Sequence, residues 1–309
     1  MRVPAVCTDK YLGCLAIGAV ATACLSLVTL IGNGADAKAS GKFDKRHRLF
    51  TQDLRRYVDA NGVHYSKWKR DQTNLSRYLQ SLADLTADDY EKLSANDREA
   101  LWLDVYDALT IKVVLDHYPI HGNIPYYPEN SLRQILEVWE AFKIDVAGRK
   151  LNLYQIEHDI LRREVKDTRT HFTVSCAARG AGRTPASAYT AKNLNRALNE
   201  ASLRFLADKD NVAVDSDNKI VTVSKIFKWF PLDFALEAGF KKIPFPPPTD
   251  DDVVLGYLAL HGPKQVQEAL EDSRDRKLYK VLYREFDWSL NDADVAPQSQ
   301  STRQDSVAR

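Results

Sequence analysis

The chain predicts an α+β fold: a single domain in which a central buried helix packs against a mainly antiparallel sheet built from hairpins. Two observations predict it. Residues 98–116 carry the strongest helical pattern, with Leu101, Val105, Leu109 and Val113 on one stripe. Trp102, Tyr106 and Ile111 widen that stripe until little polar surface remains, as on a helix enclosed by its neighbours. Elsewhere the apolar period drops to two, in pairs of short runs joined by turn residues. No repeat and no second core interrupts the pattern.

The first element is residues 11–32, YLGCLAIGAVATACLSLVTLIG, an uncharged stretch of 22 residues. A helix of that length, rising about 1.5 Å per residue, can cross a bilayer core of about 30 Å. Arg2 and Lys10 precede it, so the basic-inside bias sends the rest of the chain outward. Ala35-Asp36-Ala37-Lys38-Ala39 follows with the small-x-small pattern read by signal peptidase. Residues 1–39 are therefore expected to be a signal peptide or, uncleaved, a membrane anchor. Residues 40–292 are expected to form the domain, exported to the periplasm or cell exterior. Residues 293–309 read as a disordered tail.

Within the domain, residues 43–61 read as an amphipathic helix stopped by Asn61-Gly62. Ser94-Ala95-Asn96-Asp97 resembles a capping box opening the central helix, and His117-Tyr118-Pro119 closes it. Residues 142–146 and 150–153 flank Ala147-Gly148-Arg149 as a first hairpin. Asn152 and Gln155 then cap a helix running to Glu164. Residues 171–176 alternate as a strand. A helix over 191–207 leads to a second hairpin, 211–215 with 219–223, and Ser224 caps a short aromatic helix ending at Phe230. Pro244-Phe245-Pro246-Pro247-Pro248 reads as a stiff linker before two short helices and a last strand over 279–288.

Composition narrows the function classes. With 44% hydrophobic and 28% charged residues the chain belongs among soluble folded proteins. Beyond residue 39 acidic and basic residues balance and interleave, which leaves no footprint for nucleic acid. Membrane contact is expected only through residues 11–32, if they are retained. Cys176 is the sole cysteine outside the N-terminal segment, so the exported part forms no internal disulfide.

The chemistry concentrates in His171-Phe-Thr-Val-Ser-Cys176-Ala-Ala-Arg179-Gly180. A thiol attacks an acyl carbon as thiolate, which needs a histidine, a cation or a helix N-terminus nearby. Cys176, with His171 or His158 as base and Asp233 or Asp287 as orienting carboxylate, is the candidate catalytic set of a hydrolase or acyl transferase. Arg169, Arg179 and Arg183 add positive charge close by in sequence. Positions five apart on a regular strand face opposite ways, so His171 and Cys176 meet only if the chain turns before the cysteine. The competing reading is a non-catalytic binding module in which Phe172, Val174 and Cys176 point inward together. Its candidate binding residues are Glu157, Arg162, Arg169, Arg179 and Asp233; Trp229 and Trp288 fill the core. The alternation favours this second reading. Its ligand would be a small molecule, a peptide or an envelope component.

No metal is expected, because Glu157, His158, His171 and Cys176 lack ligand spacing. No cofactor is expected either, since Gly180-Ala181-Gly182 is too short for a phosphate loop.

Five blocks resemble the family known as domain of unknown function 547. They are residues 100–111 (ALWLDVYDALTI), 153–162 (LYQIEHDILR), 169–176 (RTHFTVSC), 224–229 with Asp233-Phe234, and 286–291 (FDWSLN). The resemblance spans about residues 43–292. It implies little chemistry, because the family name records no function. Two departures stand out. Members usually read Trp-Ile-Asn-x-Tyr-Asn in the first block, where this chain has Asp104 and Asp107. Members usually carry a second cysteine and a proline where this chain has Ala181 and Gly182, so any two-cysteine chemistry is closed to it. Papain- and transglutaminase-like folds share the buried helix and antiparallel sheet, as an analogy of fold alone.

Overall fold

The computed structural model describes residues 43–240 and 247–295. The apolar stretch at 11–32, the alanine pattern at 35–39, most of the proline linker and the tail past residue 295 lie outside the described residues. Among the described residues no helix is long and apolar enough to cross a membrane.

Helix α1 (Arg48–Tyr57) is shorter than its pattern. His47 before it lies in the left-handed region at φ 48°, and the chain leaves Tyr57 for β1 (Val58–Asp59) and β2 (Gly62–Val63), paired antiparallel. Gly62 thus serves a turn instead of a helix stop. Its φ is +132°, and a Cβ there would lie 2.1 Å from the Asn291 carbonyl oxygen.

Short helices α2 (Tyr65–Trp68), α3 (Thr73–Ala83) and α4 (Ala87–Glu91) lead to α5 (Ala95–His117), the centre of the fold. Ser94 caps it by accepting the Asp97 N–H at 3.1 Å. Residues from Ala100 to Ile111 are buried without a break, Asp104 and Asp107 included, so the helix is enclosed on all sides. Those two carboxyls hold irregular chain in place. Asp104 Oδ1 accepts from Tyr189 N–H at 3.0 Å and Asp107 Oδ1 from Ser175 N–H at 3.2 Å.

The first hairpin forms as its turn residues require. Strands β3 (Lys143–Val146) and β4 (Arg149–Asn152) are joined by Ala147 at φ 51° and Gly148 at φ 74°, a turn with both central residues left-handed. Asn152 and Gln155 form the expected capping box of α6 (Leu153–Gln155). The helix then widens into a π-helix over Ile156–Val165 that packs on α5.

Residues 171–176 are not a strand. A 3-10 turn, Thr168–Phe172, runs into irregular chain. The alternation misleads because every position from Thr170 to Ala178 is buried, polar ones too. Ser175 gives its N–H to the Asp107 carboxyl of α5 instead of a neighbouring strand.

Helix α7 (Leu194–Ala207) follows, then β5 (Val212–Asp215) and β6 (Ile220–Ser224) as the second hairpin. The aromatic segment makes α8 (Ile226–Trp229) and α9 (Pro231–Ala235). Three helices instead of two lie between the linker and the last strand: α10 (Asp250–His261), α11 (Lys264–Ala269) and α12 (Ser273–Arg276). Strand β7 (Lys280–Arg284) pairs parallel to β6, because a helical crossover returns the chain to the same end of the sheet. Among the described residues the strands therefore make three small, mostly antiparallel sheets rather than one, within an α+β domain.

A strap after β7 closes the molecule. Gly180 N–H donates to Asp287 O, Arg179 N–H to Ser289 O and Asn291 N–H to Ala177 O, each at 2.9 Å. Beyond it Ala293 N–H reaches Val63 O at 3.0 Å. Asp294, the second residue of the expected tail, accepts from Ser66 at 2.5 Å and lies 2.6 Å from His64 Nδ1.

Candidate functional site

Two places concentrate polar groups. The first grows from the π-helix, whose i→i+5 bonding sets residues four and five apart nearly in line. Arg162 reaches Asp233 on α9 with both fork arms, Nε at 2.5 Å and Nη2 at 3.0 Å. Its Nη1 donates to His158 Nδ1 at 2.7 Å. An arginine can only donate, so the neutral His158 carries its proton on Nε2, which is buried and finds no partner among the described residues. His171 Nε2 meets Asp233 Oδ2 at 2.9 Å, and its ring stacks on Phe230.

The electrostatics follow from burial. His158 is pushed down to about 3, first by loss of solvent and then by the Arg162 charge. His171 is also lowered by burial, although Asp233 opposes the shift. Burial alone would raise the Asp233 carboxyl, but the His171 and Arg162 hydrogen bonds hold it at about 2. The cluster is thus an Arg⁺–Asp⁻ pair with two neutral imidazoles. An imidazole oriented by a carboxylate is the base half of a nucleophilic site. His171, Glu157, Arg162 and Ala181 line one void of about 10 Å³. The side chain offered there by residue 181 is a methyl group, at the place where the resembling family usually carries its second cysteine.

Cys176 lies elsewhere. It is 1% exposed, and among the described residues its thiol makes no hydrogen bond to any histidine. It lines neither cavity. The chain beside it is pinned by the strap and by Asp107. Gly182, in the same loop, packs so closely that a Cβ would lie 2.4 Å from Phe172 O.

The second place is an open cavity of about 180 Å³ between the β1–β2 turn, the 178–184 loop, α7 and the strap. Arg179, Arg183 and Arg204 line it, with Asp59 and Asp208 opposite in charge and Phe172, Phe205 and Ala201 as apolar wall. Among the described residues no group of three or more His, Cys, Asp or Glu could hold a metal ion.

Of the residues singled out from sequence, His158, Arg162, His171 and Asp233 come together, with Glu157 beside them accepting from Tyr106 O–H at 3.4 Å. The others go elsewhere. Arg169 is engaged by Asp167 and by Asn199 of α7. Asp287 accepts the Ser289 N–H at 2.9 Å and its O–H at 2.6 Å, shaping the strap. Arg179 donates Nη2 to the Asp292 and Val295 carbonyls, both at 2.8 Å. Arg204, Asp59 and Asn211 carried no local signal, since only the fold brings them to Arg183.

Fold and site together define an α+β domain built around a buried helix, with a charge-paired polar cluster inside and a basic cavity at its edge. Residues 90–206 match the model of the family described as protein of unknown function, DUF547, which supports placing this stretch in that family. The match takes in α5, the π-helix, the Cys176 loop and α7; the blocks at 224–234 and 286–291 lie beyond it. No curated protein and no solved structure matches the chain.

Proposed function

We propose that residues 40–292 form a non-catalytic ligand-binding module held outside the cytoplasm. The observation that carries this reading is the separation of thiol from base. Cys176 is buried without a histidine partner, while the Asp233–His171 pair shares its void with Ala181. Iodoacetamide should leave folded Cys176 unlabelled near neutral pH and react only on unfolding. Fast labelling that falls in His158→Ala or His171→Ala overturns the reading.

The Asp233–His171 geometry favours a second reading, a thiol-dependent hydrolase or acyl transferase. Ala181→Cys tests it apart from Cys176. A thiol at 181 that alkylates faster than a free cysteine of pKa about 8.5 supports a base able to activate a nucleophile.

Export rests on the uncharged 11–32 stretch and the basic residues before it. A reporter fused after residue 45 should be active only outside the cytoplasm; cytoplasmic activity sinks the idea.

A further inference from the structure

The basic cavity says what kind of ligand such a module takes, an inference that rests on the binding reading above. Of its two carboxylates Asp59 has a side-chain partner, whereas Asp208 accepts one backbone N–H and keeps its charge, leaving three arginines against two aspartates. Asp59 Oδ1 accepts the Asn61 N–H at 2.7 Å and its Oδ2 lies 3.0 Å from His64 Nε2. Asp208 Oδ1 accepts the Asp210 N–H at 3.0 Å. Its arginines are not matched in the same way. Arg183 and Arg204, both exposed, make no hydrogen bond and no ion pair among the described residues. Arg179 bonds two backbone carbonyls, which position the guanidinium without cancelling its charge. Even Arg204 and Asp208, four apart at the end of α7, do not pair. The cavity therefore presents positive charge with unused, fork-shaped donors above an apolar wall of Phe172 and Phe205.

We infer that this cavity binds the oxyanion, carboxylate or phosphate, of a small organic molecule. Arg183 and Arg204 grip the anion, Arg179 supplies a fixed charge, and the ligand's apolar part rests on Phe172 and Phe205. The volume of about 180 Å³ limits the ligand to a small molecule or the end of a longer one.

Calorimetric titration of the full-length chain with inorganic phosphate and, separately, with succinate at low ionic strength tests this. At least one should bind saturably and weaken with added salt. Phosphate without succinate assigns a phosphorylated ligand, and the reverse assigns a carboxylate. Arg183→Ala and Arg204→Ala should each weaken binding by roughly tenfold or more, with melting unchanged because neither side chain is bonded in the fold. No saturable binding of either anion, or binding untouched by both substitutions, overturns the inference. That failure differs from failure of the non-catalytic reading, which the Cys176 and Ala181→Cys labelling reports.

Discussion

The buried cluster around Arg162 and the open cavity around Arg183 hold the same residue types and treat them in opposite ways. In the cluster one guanidinium makes three hydrogen bonds, two to Asp233 and one to His158. In the cavity two exposed guanidiniums bond nothing among the described residues. Desolvation explains the difference. A charge taken out of water must be matched within the fold, whereas one left in water can wait for a ligand. A guanidinium matched within the fold thus marks a structural charge, and an unmatched one marks a candidate for binding.

The largest test of that contrast is Asp233→Ala. It strands the Arg162 charge and removes the His171 partner, and it should cost about 2–4 kcal/mol, discounted because Asp233 keeps some solvent contact. Urea unfolding reads the loss; a change below about 0.5 kcal/mol would place the cluster among ordinary surface pairs.

The Asp107 carboxyl probes burial without a charge partner. Loss of solvent raises it from 3.8 to about 8, against the Ser175 N–H bond that lowers it. Between those pH values the folded chain holds a proton that the unfolded chain has lost, so this group makes stability fall as pH rises. Asp107→Asn should gain on the parent by up to about 1.4 kcal/mol per pH unit across that window. Equal pH profiles for the two proteins would show Asp107 ionised in the fold.

His64 shifts in the same direction for the opposite reason, because its charged form is the one favoured in the fold. Its hydrogen bond to Asp294 raises it above 6.5, with burial opposing and the Asp59 bond reinforcing. Its contribution is complete below about pH 6.5 and fades as pH rises through the folded value. His64→Ala should therefore destabilise more at pH 6 than at pH 8.5, by thermal melting. A constant difference would mean the ring acts by packing alone.

The smallest effect belongs to the cavity. Arg183→Ala and Arg204→Ala should each change stability by no more than about 0.5 kcal/mol. A loss comparable to that of Asp233→Ala would make them structural and erase the contrast.

Much of this molecule was legible in the chain. The central helix, its Ser94 cap, the two hairpins and the Asn152–Gln155 capping box depend on neighbours a few residues apart. Local spacing determines them through side-chain direction, turn geometry and backbone capping. Residues 171–176 were misread because alternation reports which positions are apolar, not whether a partner strand exists. There polar and apolar side chains alike are buried, and Asp107 takes the backbone donor a strand would have claimed. The polar cluster was legible only as a set of names. His158 and Arg162 are neighbours on any helix, four residues apart, but only the fold brings in Asp233 from 71 residues on. The cavity was illegible, because the β1–β2 turn, the 178–184 loop, α7 and the strap meet only in three dimensions. Sequence determined the α+β class and the local elements, whose energetics are short-ranged. Tertiary structure alone decided which charges were desolvated, and so which were spent on the fold and which remained for a ligand.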